Sequence, residues 1–286
     1  MVYVDAVIQG VLLGGLYALF AAGLSLIFGV MRLVNIAHGD FIVLAAYLAL
    51  ITVNATGMHP FASLLIVVPV MAVLGYVVQR GLLNRTLGPN LLPPILVTFG
   101  LAVVIQNTLL MTFSTDTRRL APGAIETASL SLGPISVGYL PLLTFVVAVV
   151  LIFGLEQLFY RTAMGRAFRA TSDDAETARA MGVNTRHVHA LAMALCFAVT
   201  AIAGVLLAAR SNFDPFSGPA RLIYGFEAVI IGGLGSLWGT LAGGVVLGVA
   251  QALGAQISPQ MQILAGHIVF FLILAVRPRG LFPRMD

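Results

Sequence analysis

The sequence predicts an all-α, polytopic membrane protein of about eight spanning or re-entrant helices, some of them broken, and three observations carry that expectation. Its 286 residues are 59% hydrophobic and 9% charged, against about a quarter charged in a soluble domain. The mean hydropathy is +1.02. Apolar runs recur along the whole chain, separated by polar or Gly/Pro clusters. A spanning helix uses about 20 apolar residues, so the length holds about seven or eight spans with modest loops and no separate soluble domain. Residues 1–286 therefore read as one transmembrane domain.

The first run covers residues 6–28. It follows Met1-Val2-Tyr3-Val4-Asp5, without the basic stretch that opens a secretory signal, so this segment is expected to be retained. A polar interruption, Arg32-Leu33-Val34-Asn35-Ile36-Ala37-His38-Gly39-Asp40, precedes a short run over 41–53. The third and fourth runs are 61–78 and 94–113, the fourth bearing a polar stripe of Thr98, Gln106, Asn107 and Thr108. Residues 114–136, with Asp116, Arg118, Arg119 and Glu126, read as a loop, and 137–159 as the fifth span. The most charged stretch, 161–189, is a connecting loop before a span over 190–209. A turn-rich loop, 210–221, leads to 222–234, an apolar run of only 13 residues that reaches about 20 Å and cannot cross alone. After Gly232-Gly233-Leu234-Gly235-Ser236 come 237–253 and 263–276, then a tail with Arg277, Arg279 and Arg284.

All fifteen basic residues are Arg. If Arg32, Arg80, Arg85, the five between 161 and 186 and the three of the tail share one side, that side holds eleven and the other four. The positive-inside rule places the larger group in the cytoplasm. Residues 222–253 must then begin and end outside, as a hairpin or broken helix pair turning at the Gly cluster. Unpaired backbone is tolerated in hydrocarbon only where protein covers it or it lines a cavity. The two interruptions, Asn35 to Asp40 and Gly232 to Ser236, therefore mark a pathway, and paired interruptions in two halves are the trace an internal repeat leaves in transporters. Residue identities between the halves are faint.

The absence of Lys excludes a G-x-x-x-x-G-K-[ST] phosphate loop and Schiff-base chemistry. Cys196 is alone, so no disulfide forms within the chain. No Ser/His/Asp grouping, paired-carboxylate site or His cluster is present, so no catalytic residue, metal or cofactor is expected. The net charge of +4 reads as orienting loop arginines rather than a nucleic-acid surface. Gly10 and Gly14, Gly235, Gly239 and Gly243, and Gly244 and Gly248 recur at the spacing that lets helix backbones approach. Ser236 and the peptide groups of Gly232, Gly233 and Gly235 can bond a solute if they face a cavity. Ionisable groups within apolar runs default to function, which adds Asp40, His38 and Glu227, each with helix anchoring as the other reading. Glu156 and His267 are placed near membrane edges. The candidate pathway is thus Asn35, His38, Gly39, Asp40, Gln106, Asn107, Glu227, Gly232, Gly233, Gly235 and Ser236.

Within the charged stretch, Ser172 to Gly182 reads as one amphipathic helix of about nine residues, marginal alone in water. Asp173 and Glu176 have capping-box spacing, Asp174 lies in the first turn, Arg179 complements the last turn, and Gly182 suits a left-handed C-terminal position. Its apolar face of Ala175, Ala178 and Met181 either docks in a partner's groove or is a solvated connector.

Leu26-Ile27-Phe28-Gly29-Val30-Met31-Arg32-Leu33-Val34-Asn35-Ile36-Ala37-His38-Gly39-Asp40-Phe41 resembles the N-terminal signature of branched-chain amino acid ABC permeases of the LivH type. The likeness continues through Thr162 to Ala170, Ala178 to Gly182, Ile231 to Ser236 and Arg277 to Phe282, in order along nearly the whole chain. The companion permease type shares the Gly-Gly-Leu-Gly-Ser stretch but is usually longer at its N-terminus. The resemblance implies a multi-pass permease of the bacterial inner membrane working with a homologous second permease, two cytoplasmic ATPases that bind ATP and Mg, and a periplasmic solute-binding protein. It implies that 173–182 is a coupling helix, and a small-molecule cargo of branched-chain amino acids, amides, urea or aromatic acids. The residues alone leave two other classes: a self-sufficient secondary transporter or channel using Asp40, His38 or Glu227, and a membrane-embedded enzyme.

Overall fold

A computed structural model describes residues 2–88, 90, 92–132 and 135–282; Arg284 of the expected tail lies outside the described residues. The elements are α1 (Val2–Met31), α2 (His38–Thr56), α3 (Leu64–Gly81), α4 (Leu92–Phe113), the strands β1 (Ser129–Leu132) and β2 (Ile135–Gly138), α5 (Tyr139–Arg161), α6 (Ala163–Asp173), α7 (Ala175–Ala180), α8 (Thr185–Arg210), α9 (Gly218–Gly232), α10 (Leu237–Ile257) and α11 (Met261–Val276). Among the described residues, seven helices are long and apolar enough to cross a membrane, while α9 and α11 are shorter. The fold is the all-α polytopic class that hydropathy predicts. Two expected loops are structured. Within 114–136 a 3-10 turn precedes an antiparallel hairpin pairing Ser129 with Gly138, and within 161–189 lie α6 and α7.

The bundle is organised around α1 and α8, both largely buried. Helix α10 lies antiparallel against α1 along a seam of small residues. A Cβ added at Gly14 would stand 2.5 Å from the Val245 Cα, and one added at Gly244 would stand 2.6 Å from the Gly14 carbonyl oxygen. The fourfold glycine spacing is therefore a close backbone approach. Exposed apolar side chains such as Leu96, Val104 and Met111 on α4 and Val146, Val150 and Phe153 on α5 cover the outer faces, as a lipid-facing surface requires.

The chain twice turns back into the bundle. At the end of α1, Arg32 adopts φ 51, a left-handed conformation costing about 1–2 kcal/mol, and the chain folds back beside α1. Because the His38 ring meets the Phe20 carbonyl, α2 begins about 16 Å short of the α1 terminus. At the far end, Arg210 closes α8 by donating to the Leu12 carbonyl at 3.1 Å. The chain then returns through buried Phe213, which packs edge-on against Tyr47, and α9 starts at Gly218 against Gly39. The unit α1–return–α2 thus has a counterpart of opposite direction in α8–return–α9. The interior partner of the first break is 211–218, not Gly232 to Ser236 as the glycine cluster suggests. That cluster is instead the α9–α10 turn, with the Gly235 Cα 3.5 Å from where a Gly29 Cβ would stand, near the end of α1.

Candidate functional site

Five of the expected pathway residues converge where α2 and α9 begin. Asn35 is buried; its Oδ1 accepts from the Ala37 N–H at 3.1 Å and its carbonyl from the His38 N–H at 3.2 Å. The Ile36 N–H donates to Thr98 Oγ1 of α4 at 3.3 Å. These bonds satisfy the non-helical backbone that burial would otherwise make expensive. The His38 Nε2 lies 2.9 Å from the Phe20 carbonyl; a carbonyl only accepts, so Nε2 carries the hydrogen. Gly39 lies so close to Gly218 that a Cβ would overlap its carbonyl oxygen.

Asp40 is the centre of this cluster. It is only 2% exposed, and its Oδ1 accepts from Gln106 Nε2 at 2.8 Å. It sits in the first turn of α2 and against Gly218, the first residue of α9. Two helix N-termini, each with partial positive charge, therefore face one buried carboxylate. Gln106→Leu should remove the one side-chain donor to Asp40 among the described residues and destabilise the fold by about 2 kcal/mol, read as a lower unfolding temperature in detergent.

The remaining expected residues lie elsewhere. Asn107 is exposed and its amide returns to the Val103 carbonyl at 2.8 Å. Glu227, on α9, is bonded to His267 of α11, so it ties two helices together. His267, read from the sequence as near a membrane edge, is half-buried and six residues into α11. At Gly232 to Ser236, Gly233 and Gly235 take φ 109 and 80, and Ser236 caps α10 by accepting from the Gly239 N–H at 3.1 Å. The C-terminal segment bonds the carbonyls freed there: the Leu281 N–H donates to Ile231 and the Phe282 N–H to Gly232, at 2.8 and 2.9 Å. The Ile231 and Gly232 carbonyls therefore have protein donors already, while Gly235 and Ser236 line a cavity beside α1 and α5. Gly218 was missed, although Gly218-Pro219 carries the signal of a helix start with Pro in its first turn.

At the end that carries most arginines, α6 is anchored by buried Phe168 and by Ser172, whose Oγ donates to the Gly29 carbonyl at 2.6 Å. The single helix expected over 172–182 is two, because α6 ends at Asp173 and α7 has six residues. The cap of α7 is Asp174, not Asp173: its Oδ1 accepts the Glu176 and Thr177 N–H groups at 2.9 and 3.0 Å. Its carboxyl is held below the usual carboxylate range, first by the Thr177 hydroxyl and then by those N–H groups. Gly182 has φ 89 and the Val183 N–H reaches back to the Ala178 carbonyl at 3.0 Å, the Schellman closure. Arg179 donates to Thr185 Oγ1 at 3.3 Å. The apolar face divides: Ala178 is 5% exposed, buried in this chain, whereas Met181 is 82% exposed.

The family described as "Branched-chain amino acid transport system / permease component" matches residues 6–277. The chain is 28% identical to the high-affinity branched-chain amino acid transport system permease protein BraD of Pseudomonas aeruginosa, over 99% of this chain and 97% of that protein. It is 25% identical to the LivH permease protein of Escherichia coli, over 99% and 96%, and 26% identical to the LivM permease protein of Salmonella typhimurium, over 94% and 68%. No solved structure matches. With nearly the whole chain matched and seven helices able to cross a membrane, this protein is a multi-pass membrane protein belonging to the permease component family of branched-chain amino acid transport systems.

Proposed function

We propose that this chain is the non-catalytic transmembrane subunit of an ATP-driven importer of branched-chain amino acids or related small polar solutes in the bacterial inner membrane. In this reading residues 1–286 form one permease domain, and the arginine-rich end faces the cytoplasm. A homologous permease completes the pathway, two ATPase subunits bind ATP and Mg, and a periplasmic binding protein delivers the solute.

The observation that carries this reading is the form of α6–α7. Met181 projects from a short helix that is capped by Asp174 and seated through Ala178, so an apolar prong is held rigid against the permease body. A prong of this kind fits a groove on a partner, and we assign Asp173, Asp174, Ala175, Glu176, Ala178, Arg179, Met181 and Gly182 to coupling. The cluster of Asn35, His38, Gly39, Asp40 and Gln106, at two opposed interior helix starts, is assigned to the pathway region. There an interior break can rearrange without exposing backbone to lipid.

Proteoliposomes test the reading. Leucine uptake is expected only when the ATPases, the second permease, the binding protein and ATP are all present. Uptake by this chain alone under an ion gradient would overturn it.

A further inference from the structure

Helix α3 ends where α8 begins, and the two are locked together there. A Cβ added at Gly75 would stand 2.6 Å from the Met193 carbonyl oxygen and 2.8 Å from the Phe197 ring, so the backbones run in close contact. Two threads of polar groups then tie the ends. Gln79, fully buried, donates to Asn84 Oδ1 at 3.0 Å, and the Asn84 amide donates to the Arg186 carbonyl at 3.0 Å. The Tyr76 hydroxyl lies 2.9 Å from His187 Nδ1, and Arg80 donates to the same hydroxyl at 3.4 Å. A guanidinium only donates, so the hydroxyl hydrogen is free for Nδ1, which leaves the His187 Nε2 as an N–H donor. Arg85 closes the 3-10 turn Leu83–Arg85 next to Asn84.

Three arginines and a histidine, Arg80, Arg85, Arg186 and His187, thus share one corner of the arginine-rich end, and all four are exposed. Among the described residues none of them is ion-paired. Elsewhere the chain supplies carboxylates: Arg118 pairs with Asp116 and Arg119 with Glu126. Helix stability does not select the charge at this corner either. Arg186 and His187 lie in the first turn of α8, which has no acidic residue, and the helix dipole disfavours cations there.

The apolar surface beside the corner says what kind of anion offsets this charge. Ile66, Val70, Val73 and Val77 are exposed and recur at spacings of three and four residues, and Arg80 continues the same face of α3. This helix is long and apolar enough to cross a membrane. One helix face therefore offers hydrocarbon contact along its length and cations at its end.

We propose that this corner binds the phosphate of an anionic phospholipid from the adjoining leaflet, with Arg80, Arg85 and Arg186 around the headgroup and an acyl chain along Ile66, Val70, Val73 and Val77. Guanidinium forks match phosphate oxygens, and basic pockets between spanning helices hold anionic headgroups in this way. The assignment needs only that α3 crosses the bilayer and is independent of the importer reading.

The full chain is purified in neutral detergent and titrated with phosphatidylglycerol and phosphatidylcholine of the same chain lengths, and bound lipid is counted by native mass spectrometry. Phosphatidylglycerol is expected to bind at least about tenfold more tightly. The triple variant Arg80→Gln, Arg85→Gln, Arg186→Gln should lose about a hundredfold of that affinity, from about fivefold per arginine. Arg161→Gln, Arg277→Gln, Arg279→Gln removes the same charge from exposed positions at the same end and should change it by no more than about twofold. Unfolding temperatures without added lipid report on folding, and Arg80→Gln alone, with its expected fivefold loss, serves if the triple variant is unstable. An equal loss in both triple variants would mean attraction by net charge alone. Equal binding of the two lipids would mean no headgroup recognition, and undiminished binding in the first variant would leave these arginines to solvent or a protein partner. Displacement of phosphatidylglycerol by equimolar glycerol 3-phosphate would identify a free phosphate as the ligand. Each of these four results would overturn the proposal.

Discussion

Met181→Asp is expected to leave the protein folded and inserted while transport falls at least tenfold and ATP hydrolysis by the complex no longer responds to solute. The side chain is 82% exposed, so no core contact is lost. In the coupling reading it is buried in a groove of the ATPase, where an apolar anchor is worth about 2 kcal/mol or more and a desolvated carboxylate adds a further penalty. About 1.4 kcal/mol is a factor of ten in the docking equilibrium. Uptake and ATPase rates in proteoliposomes, with expression level as the control for folding, measure this. Normal uptake by the variant would remove the docking assignment. Ala178→Asp, the substitution that amphipathicity alone recommends, is a poorer probe. Ala178 is 5% exposed within this chain, so a carboxylate there disrupts α7 itself.

Gly14→Val should have the largest effect on the fold. The new Cβ would stand 2.5 Å from the Val245 Cα and 2.6 Å from the Gly244 carbonyl oxygen. Both neighbours are backbone, which cannot turn aside as a flexible side chain can. Overpacking of this kind costs about 1–3 kcal/mol or more, and here it separates the central helix from α10. The expected result is a marked loss of monodisperse protein and a lower unfolding temperature. Gly100→Val and Gly154→Val are the controls, because a Cβ at either meets nothing within 4 Å. Equal stability of all three variants would mean that the seam is not tightly packed.

The buried cluster at the start of α2, assigned above to the pathway region, is partly legible in the sequence. Asn35, His38, Gly39 and Asp40 stand out because polar residues and glycine interrupt an apolar run, and Gln106 because it belongs to a polar stripe. The stripe misleads at Asn107, since one helical step turns it away from Asp40. Glu227 and His267 are each visible as ionisable groups in apolar runs, but 40 residues separate them, and nothing local says that they meet. The helix end at Asp173 was missed because Asp173 and Asp174 are both competent caps, and only the backbone geometry selects between them.

By itself the sequence determined that this is a multi-pass membrane protein, most of the stretches apolar enough to cross, the breaks near 32–40 and 232–236, and the lack of a lysine-bearing nucleotide loop. These follow from the cost of placing unpaired polar groups in hydrocarbon, which acts on every short segment independently. Tertiary structure alone decided which breaks face each other, that Gly39 meets Gly218 while Gly235 lies by Gly29, and that Glu227 meets His267. Those outcomes depend on how rigid helices pack at distances where small differences in side-chain volume choose among arrangements, and such long-range packing has no signature in local hydropathy.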